Sequence, residues 1–295
     1  MEPPPWFERA VVDQPRDGWV EVEASRVHWL EWGTPANNGL VLVHGGAAHA
    51  HWWSFIAPLL TREYHVVAVD MSGHGDSQAR PEYPREIWAD EIVAVTEAAS
   101  MQRPILVGHS LGGFVSTVTA VRHARHFAGA VVVDAPIGRS DPEQEAARGR
   151  RAFSPVKSTY PDRASALARF RLVPPDPLAL GFLVDHVASH SLRETPEGWQ
   201  WKFDPRIFTT TGLRSIVDLL PEIRCRFALV RGDQSFMVDE REREMAYEAL
   251  DRNVPIVDIP EANHHVMLDQ PLALVAALRA LLADWEHSVP RRPGP

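Results

Sequence analysis

The stretch from Ile105 to Gly113, Ile-Leu-Val-Gly-His-Ser-Leu-Gly-Gly, admits few folds. A short apolar run of the kind that forms a buried strand meets Gly108-His109-Ser110-Leu111-Gly112, and an apolar helical pattern from Phe114 to Val121 follows at once. A serine between two glycines in a strand-to-helix turn is the G-x-S-x-G elbow. The turn leaves almost no room for side chains two residues before and two after the serine. Ser110 is thereby pushed out at the carboxyl end of a strand. Its backbone opens a helix, and the N–H of Leu111 points to where a carbonyl oxygen would gain negative charge. This arrangement suits acyl transfer; a glycine-rich turn without catalysis is the plainer alternative.

The rest of the chain supplies a setting for that elbow. Residues 1 to about 18 are proline-rich and charged and read as a loosely held arm. Strand patterns follow at Trp19–Val27, His28–Trp32 and Leu40–Val43, the last ending in His44-Gly45-Gly46. A helix around Trp52–Leu60, a strand His65–Val69, a loop Asp70–Ser77 and a helix Glu86–Ser100 lead to the elbow strand. Gly129–Val133 is another apolar strand, closing in Asp134-Ala135-Pro136. The rhythm resumes with a helix near Leu213–Leu220, a strand Phe227–Val230, a charged helix Asp239–Leu250, a strand Val254–Ile259 and a helix Pro271–Trp285. Pro290–Pro295 reads as frayed. Alternating strands and helices predict the α/β class, with a mostly parallel sheet covered on both faces.

Between Ile137 and Thr211 the alternation breaks into charge clusters, prolines and scattered aromatics. The division expected is therefore a core of residues 1–136 and 212–295 with a cap of residues 137–211 over the carboxyl edge of the sheet, where open parallel sheets bind ligands. Phe153, Tyr160, Phe170, Phe182, Trp199, Trp201, Phe203 and Phe208 are candidates to line an apolar pocket, although any one of them can equally serve to pack the cap.

Composition narrows the function classes. No apolar run approaches the roughly 20 residues that span a bilayer, so no membrane span is expected. The formal charge of −9 argues against a nucleic-acid partner. The start, Met-Glu-Pro-Pro-Pro-Trp-Phe-Glu, lacks the basic and apolar regions of a secretion leader. Together with one cysteine, Cys225, this points to a reducing, cytoplasmic setting. Cys225 reads as a packed small residue rather than a nucleophile. Assembly as a homodimer is left open.

A serine hydroxyl needs a base, and the base a group to hold it. The best base lies in Glu261-Ala262-Asn263-His264-His265-Val266-Met267-Leu268-Asp269-Gln270-Pro271. The elbow, the His44-Gly45 turn, the Asp70–Ser77 loop and this segment together resemble the α/β-hydrolase superfamily over nearly the whole chain outside the terminal arms and the cap. The resemblance implies the α/β-hydrolase fold, a mostly parallel eight-stranded sheet covered by helices with an inserted helical cap. It also implies a catalytic histidine followed five residues on by an acid and seven on by proline, which His264 satisfies with Asp269 and Pro271. His265 is one out of register and is assigned to packing or hydrogen bonding.

In most relatives the triad acid follows the seventh core strand, where this chain has Gly232-Asp233-Gln234-Ser235 and a serine in the expected place. A subset carries the acid after the sixth strand, and Val133-Asp134-Ala135-Pro136 resembles that arrangement. Asp134 is taken as the acid, with Asp233 and Asp239 as alternatives. A carboxylate that only braces the start of the cap is the plain reading of Asp134. By the same resemblance the backbone N–H groups of Gly46 and Leu111 form the oxyanion hole, His44 braces its loop, and Asp70 and Ser77 organise theirs. His49 and His51, with Trp52 and Trp53, can reach the pocket mouth, but His-x-His is a weak metal signal and no metal or other cofactor is expected. The function implied is a serine hydrolase cleaving a carboxylic ester, thioester or lactone with an apolar portion. Perhydrolase side activity is compatible with it. Carbon–carbon bond hydrolysis of ring-fission products and a non-catalytic small-ligand receptor are the alternatives; Ser110 in place of an aspartate disfavours epoxide hydrolase and haloalkane dehalogenase chemistry.

Overall fold

The computed structural model describes residues 2–138, 158–210 and 215–287. Eight strands form one sheet: β1 (Arg16–Val22), β2 (Ser25–Trp32), β3 (Asn38–Val43), β4 (Tyr64–Asp70), β5 (Ile105–His109), β6 (Gly129–Val133), β10 (Arg226–Gly232) and β11 (Ile256–Ile259), numbered with three short strands of the insertion. Their order across the sheet is β1-β2-β4-β3-β5-β6-β10-β11. Only β2 runs against its neighbours; the other pairings are parallel.

Side chains alternate between the faces of a strand, and here both faces are covered. Leu40, Leu42, Val66, Ala68, Val131 and Val133 join one core, with the helix Pro271–His287 packed on it. Val41, Val43, Val67, Val69, Ala130 and Val132 join the other, beneath the helices Arg85–Ala98 and Leu111–Arg122. This double coverage is why the central strands read as unbroken apolar runs.

The sequence expectation fails in three places. The N-terminal arm is a helix, Pro5–Val12, whose Phe7 ring is 5.0 Å from Phe182 and 6.3 Å from Phe55. Prolines in a first turn do not oppose a helix, because their missing N–H has no partner there in any case. The helix expected at Trp52–Leu60 is two single 3₁₀ turns, Ala50–Trp52 and Ala57–Leu59, since Pro58 cannot donate to a continuing α-helix. The insertion holds, besides the helices Arg163–Leu167, Gly181–His190 and Ile207–Thr210, an antiparallel sheet of β7 (Thr159–Tyr160), β8 (Leu192–Thr195) and β9 (Gly198–Trp201) in the order β7-β9-β8. No residue of β9 is fully buried, so the strand leaves no alternating signal to read. Phe153, Thr211, Leu213 and Pro290–Pro295 lie outside the described residues, and the helix expected from Leu213 is described from Ile216 to Leu219.

The strand order also places the site. After β3 the chain moves outward to β4 and then returns past β3 to β5. The connections leaving β3 and β5 therefore diverge, and a crevice opens between their carboxyl ends. Into it project the His44-Gly45-Gly46 loop and Ser110.

Candidate active site

Ser110 sits between β5 and the helix Leu111–Arg122 at φ 53° and ψ −119°, a left-handed conformation costly for a residue with a side chain. Its N–H donates to Val133 O at 3.0 Å, tying the turn to β6. The flanking glycines are dictated by close approach. A Cβ on Gly108 would stand 2.2 Å from Gly112 O, and one on Gly112 would stand 2.3 Å from Val43 O. Gly112→Ala is therefore expected to push the elbow away from β3 and to destabilise the protein by about 1–3 kcal/mol, measured by urea unfolding. Unchanged stability would contradict this packing.

His264 follows β11 and is buried, 3% exposed. Its Nε2 lies 3.0 Å from Ser110 Oγ and its Nδ1 lies 2.7 Å from Asp134 Oδ2. Asp134 is the first residue past β6, also with a positive φ of 45°. Its N–H donates to Val230 O at 2.8 Å, which turns the carboxylate toward the end of β10. There Gly232 N–H donates to Oδ1 at 3.1 Å and Ser235 Oγ–H donates to Oδ2 at 2.6 Å. With both carboxylate oxygens engaged, Asp134 is held as an acceptor facing the imidazole.

The other two carboxylates stand elsewhere. Asp233 is exposed and accepts from Ala262 N–H at 3.4 Å; Asp239 accepts from Glu242 N–H at 2.9 Å, opening the helix Glu240–Ala249. The serine that occupies the seventh-strand position thus donates to the sixth-strand carboxylate. Ser235→Ala leaves that oxygen without one donor, and about tenfold loss of turnover is expected in steady-state assays; an unaltered rate would contradict a bracing role.

One feature of this site was not read from the sequence. His109, inside the elbow itself, places Nε2 at 2.9 Å from His264 O and so binds the serine turn to the histidine loop. His265 packs beside it, with Nε2 3.0 Å from Pro174 O and its N–H donating to Asp176 Oδ2 at 3.2 Å. Burial, and then the charge that His264 can carry, holds both imidazoles below their usual range, His265 at about 3. Both stay neutral near pH 7, so neither repels a cation formed at His264. A ring nitrogen from each of these three histidines lies within 4.8 Å of the others, close enough for an ion, although His264 Nε2 already faces Ser110. The signal for His109 is its place beside the serine, which the elbow pattern leaves free to vary.

The same loop holds a second titratable group. Asp269 accepts from Asn263 N–H at 2.7 Å, and its carboxyl is pushed up to about 7, mainly by burial and further by Asp176. A carboxyl with a raised folded-state pKa stabilises fully below its ordinary value of 3.8 and loses that contribution as pH rises through about 7. Asp269→Asn is expected to raise the thermal midpoint at about pH 8 and to flatten its decline above about pH 5. An equal decline in both proteins would contradict this.

Gly45 and Gly46 follow β3. A Cβ on Gly45 would lie 3.3 Å from Ser110 Cβ and one on Gly46 3.7 Å from Leu111 Cδ2, so this loop runs beside the serine turn. His44 is buried beneath them, with Nδ1 2.7 Å from Gly45 O and Nε2 accepting from Met71 N–H at 3.2 Å. Asp70 receives Ala50 N–H at 2.7 Å, Asp76 N–H at 2.9 Å and His28 Nδ1 at 2.7 Å, and Ser77 Oγ–H donates to Asp70 O at 2.5 Å. Burial opposes ionisation of Asp70, but the hydrogen bond and charge of His28 outweigh it and hold the carboxyl well below its usual range. These contacts make the floor of the crevice rigid.

Above the floor is a cavity of about 290 Å³ reached by Ser110 and His264. Of the aromatics singled out in the insertion, Tyr160, Phe170, Trp201 and Phe203 line it. Phe182 instead packs on the core through Phe7, and Phe208 rests on Gly46. His49 and Trp52 reach the cavity; Trp53 is wholly buried, and His51 stacks on His190 at 4.0 Å. Cys225 is remote from it, and burial pushes its thiol up to about 11, the state of an inert packed residue.

The sequence profile of the Alpha/beta hydrolase family matches residues 40–278. The chain belongs to this family. The chain is similar to esterase Rv0045c of Mycobacterium tuberculosis (strain ATCC 25618 / H37Rv), 28% identical over 284 residues that cover 93% of this chain and 92% of that protein. It is also 36% identical to 2-hydroxymuconate semialdehyde hydrolase of Pseudomonas sp. (strain CF600), but over only 89 residues, 28% of this chain and 31% of that one. Among solved structures, E-2-(acetamidomethylene)succinate hydrolase superposes with a TM-score of 0.78 at 19% identity, covering 91% of this chain and 99% of that one. The thioesterase domain from the curacin biosynthetic pathway gives 0.75 at 22% identity, covering 90% and 99%. These two show a shared fold. Among the described residues no helix is long and apolar enough to cross a membrane.

Proposed function

We propose that the protein is a serine hydrolase cleaving a carboxylic ester, thioester or lactone through an acyl-enzyme. The observation that carries this reading is the unbroken chain from Ser110 Oγ to His264 Nε2 at 3.0 Å and from His264 Nδ1 to Asp134 Oδ2 at 2.7 Å. Asp134 fixes the tautomer in which Nδ1 holds the proton and Nε2 is free to accept the one on Ser110. Ser110 Oγ attacks the carbonyl carbon, and the Gly46 and Leu111 amides stabilise the oxyanion. The imidazolium then protonates the leaving group. Water, activated by the same imidazole, hydrolyses the acyl-enzyme and releases Ser110. Residues 137–211 act as a cap, whose aromatic wall takes the apolar portion of the substrate.

Similarity to an esterase over nearly the whole chain supports ester chemistry. Carbon–carbon bond hydrolysis is the second reading, favoured by the shorter match to 2-hydroxymuconate semialdehyde hydrolase. A panel of p-nitrophenyl esters, aryl thioesters, lactones and ring-fission dienones separates them. Turnover of esters, thioesters or lactones above dienones is expected; turnover of dienones alone would overturn the proposal.

A further inference from the structure

The cavity is electrically one-sided. The chain as a whole carries 39 acidic and 30 basic residues, yet among the described residues no aspartate or glutamate lines the cavity, whereas Arg169, Arg171 and Lys202 do. Lys202 is already committed, its ammonium lying 2.7 Å from Asp76. Arg169 and Arg171 are not: neither forms an ion pair with a described residue. Arg171 Nη1 donates to Ala168 O at 3.2 Å and to Phe170 O at 2.5 Å. These bonds fix the guanidinium on its own turn and leave its other N–H groups available. Phe170, between the two arginines, turns inward, its ring 5.9 Å from Trp201. The rim therefore offers two cations beside an aromatic wall, with Ser110 on the floor. A guanidinium fork matches the planar or tetrahedral oxygens of a carboxylate or phosphate.

We propose that the substrate carries an anionic group, a carboxylate or a phosphate monoester, remote from its scissile carbonyl, and that Arg169 and Arg171 receive it at the cavity mouth. This inference rests on the hydrolase reading of the same site. Charge at the rim also draws the substrate in at low salt, so the preference weakens as ionic strength rises.

The test uses p-nitrophenyl esters of one chain length that differ only at the far end: a free carboxylate, its methyl ester, and a phosphate monoester. In the native protein kcat/KM for a charged ester is expected to exceed that for the methyl-capped one by roughly three- to fivefold at low salt, a preference that an exposed charge pair can supply. Whether carboxylate or phosphate shows the larger ratio identifies the source of the anion. In Arg169→Gln/Arg171→Gln the ratio is expected to fall toward one, and each single variant to fall part of the way. The ratio is taken within each protein, so a general loss of activity cancels. A ratio near one for both anions in the native protein, or an undiminished ratio in the double and single variants, overturns the proposal. Fluorophosphonate labelling of Ser110 in the same samples separates the two levels: labelled protein without charge preference overturns only the anion site, while unlabelled folded protein overturns the hydrolase reading beneath it.

Discussion

Ser110→Ala is expected to lower ester turnover about 10⁶-fold, and His264→Ala to do nearly the same. The hydroxyl is the only atom of the site that can form the acyl bond, and at 3.0 Å from Oγ the imidazole is its only base in direct reach among the described residues. Removing either abolishes the covalent route. The double variant is therefore expected to be little slower than either single one, because both losses remove one step. The residual rate is expected to come from the proposed oxyanion donors Gly46 and Leu111 and from binding. Steady-state rates on p-nitrophenyl esters check this, with circular dichroism confirming that each variant folds. A Ser110→Ala enzyme within tenfold of the native rate would falsify the acyl-enzyme mechanism.

Asp134→Asn is expected to cost about 10⁴-fold, while Asp233→Asn leaves turnover within about twofold. The asparagine keeps the shape of the carboxylate and removes its charge. Its amide would present N–H where Oδ2 now accepts from His264 Nδ1 at 2.7 Å and from Ser235 Oγ at 2.6 Å. The imidazole is then driven to the tautomer with its proton on Nε2, which cannot accept from Ser110. Asp233 is exposed and far less constrained, so neutralising it leaves the His264 geometry untouched. The opposite pattern, an inactive Asp233 variant beside an active Asp134 variant, would return the acid to the seventh core strand.

Much of this architecture was legible because its causes are local. The elbow needs Gly108 and Gly112 within a few residues of Ser110, and the steric reason lies in contacts under 2.5 Å. The central strands announce themselves because burial on both faces leaves runs of apolar residues in place of alternation. His264 was legible only through its downstream Asp269 and Pro271. The choice between Asp134 and Asp233 was harder, since both stand at strand ends and the contact that separates them spans 130 residues. The bond from His109 to His264 O spans 155 residues, and the place of His109 beside the serine does not name its partner. The N-terminal helix was missed for a related reason: what holds Phe7 in place is Phe55 and Phe182, far along the chain. In the insertion, the short strands β7, β8 and β9 are mostly half-buried and leave no period.

The central claim is that Ser110 is a nucleophile activated by His264. Covalent labelling with a fluorophosphonate, followed by peptide mass spectrometry, tests it most directly. The account predicts stoichiometric modification of the peptide containing Ser110, lost in Ser110→Ala and strongly slowed in His264→Ala. Folded native protein that remains unmodified, or is modified at another serine, would contradict it.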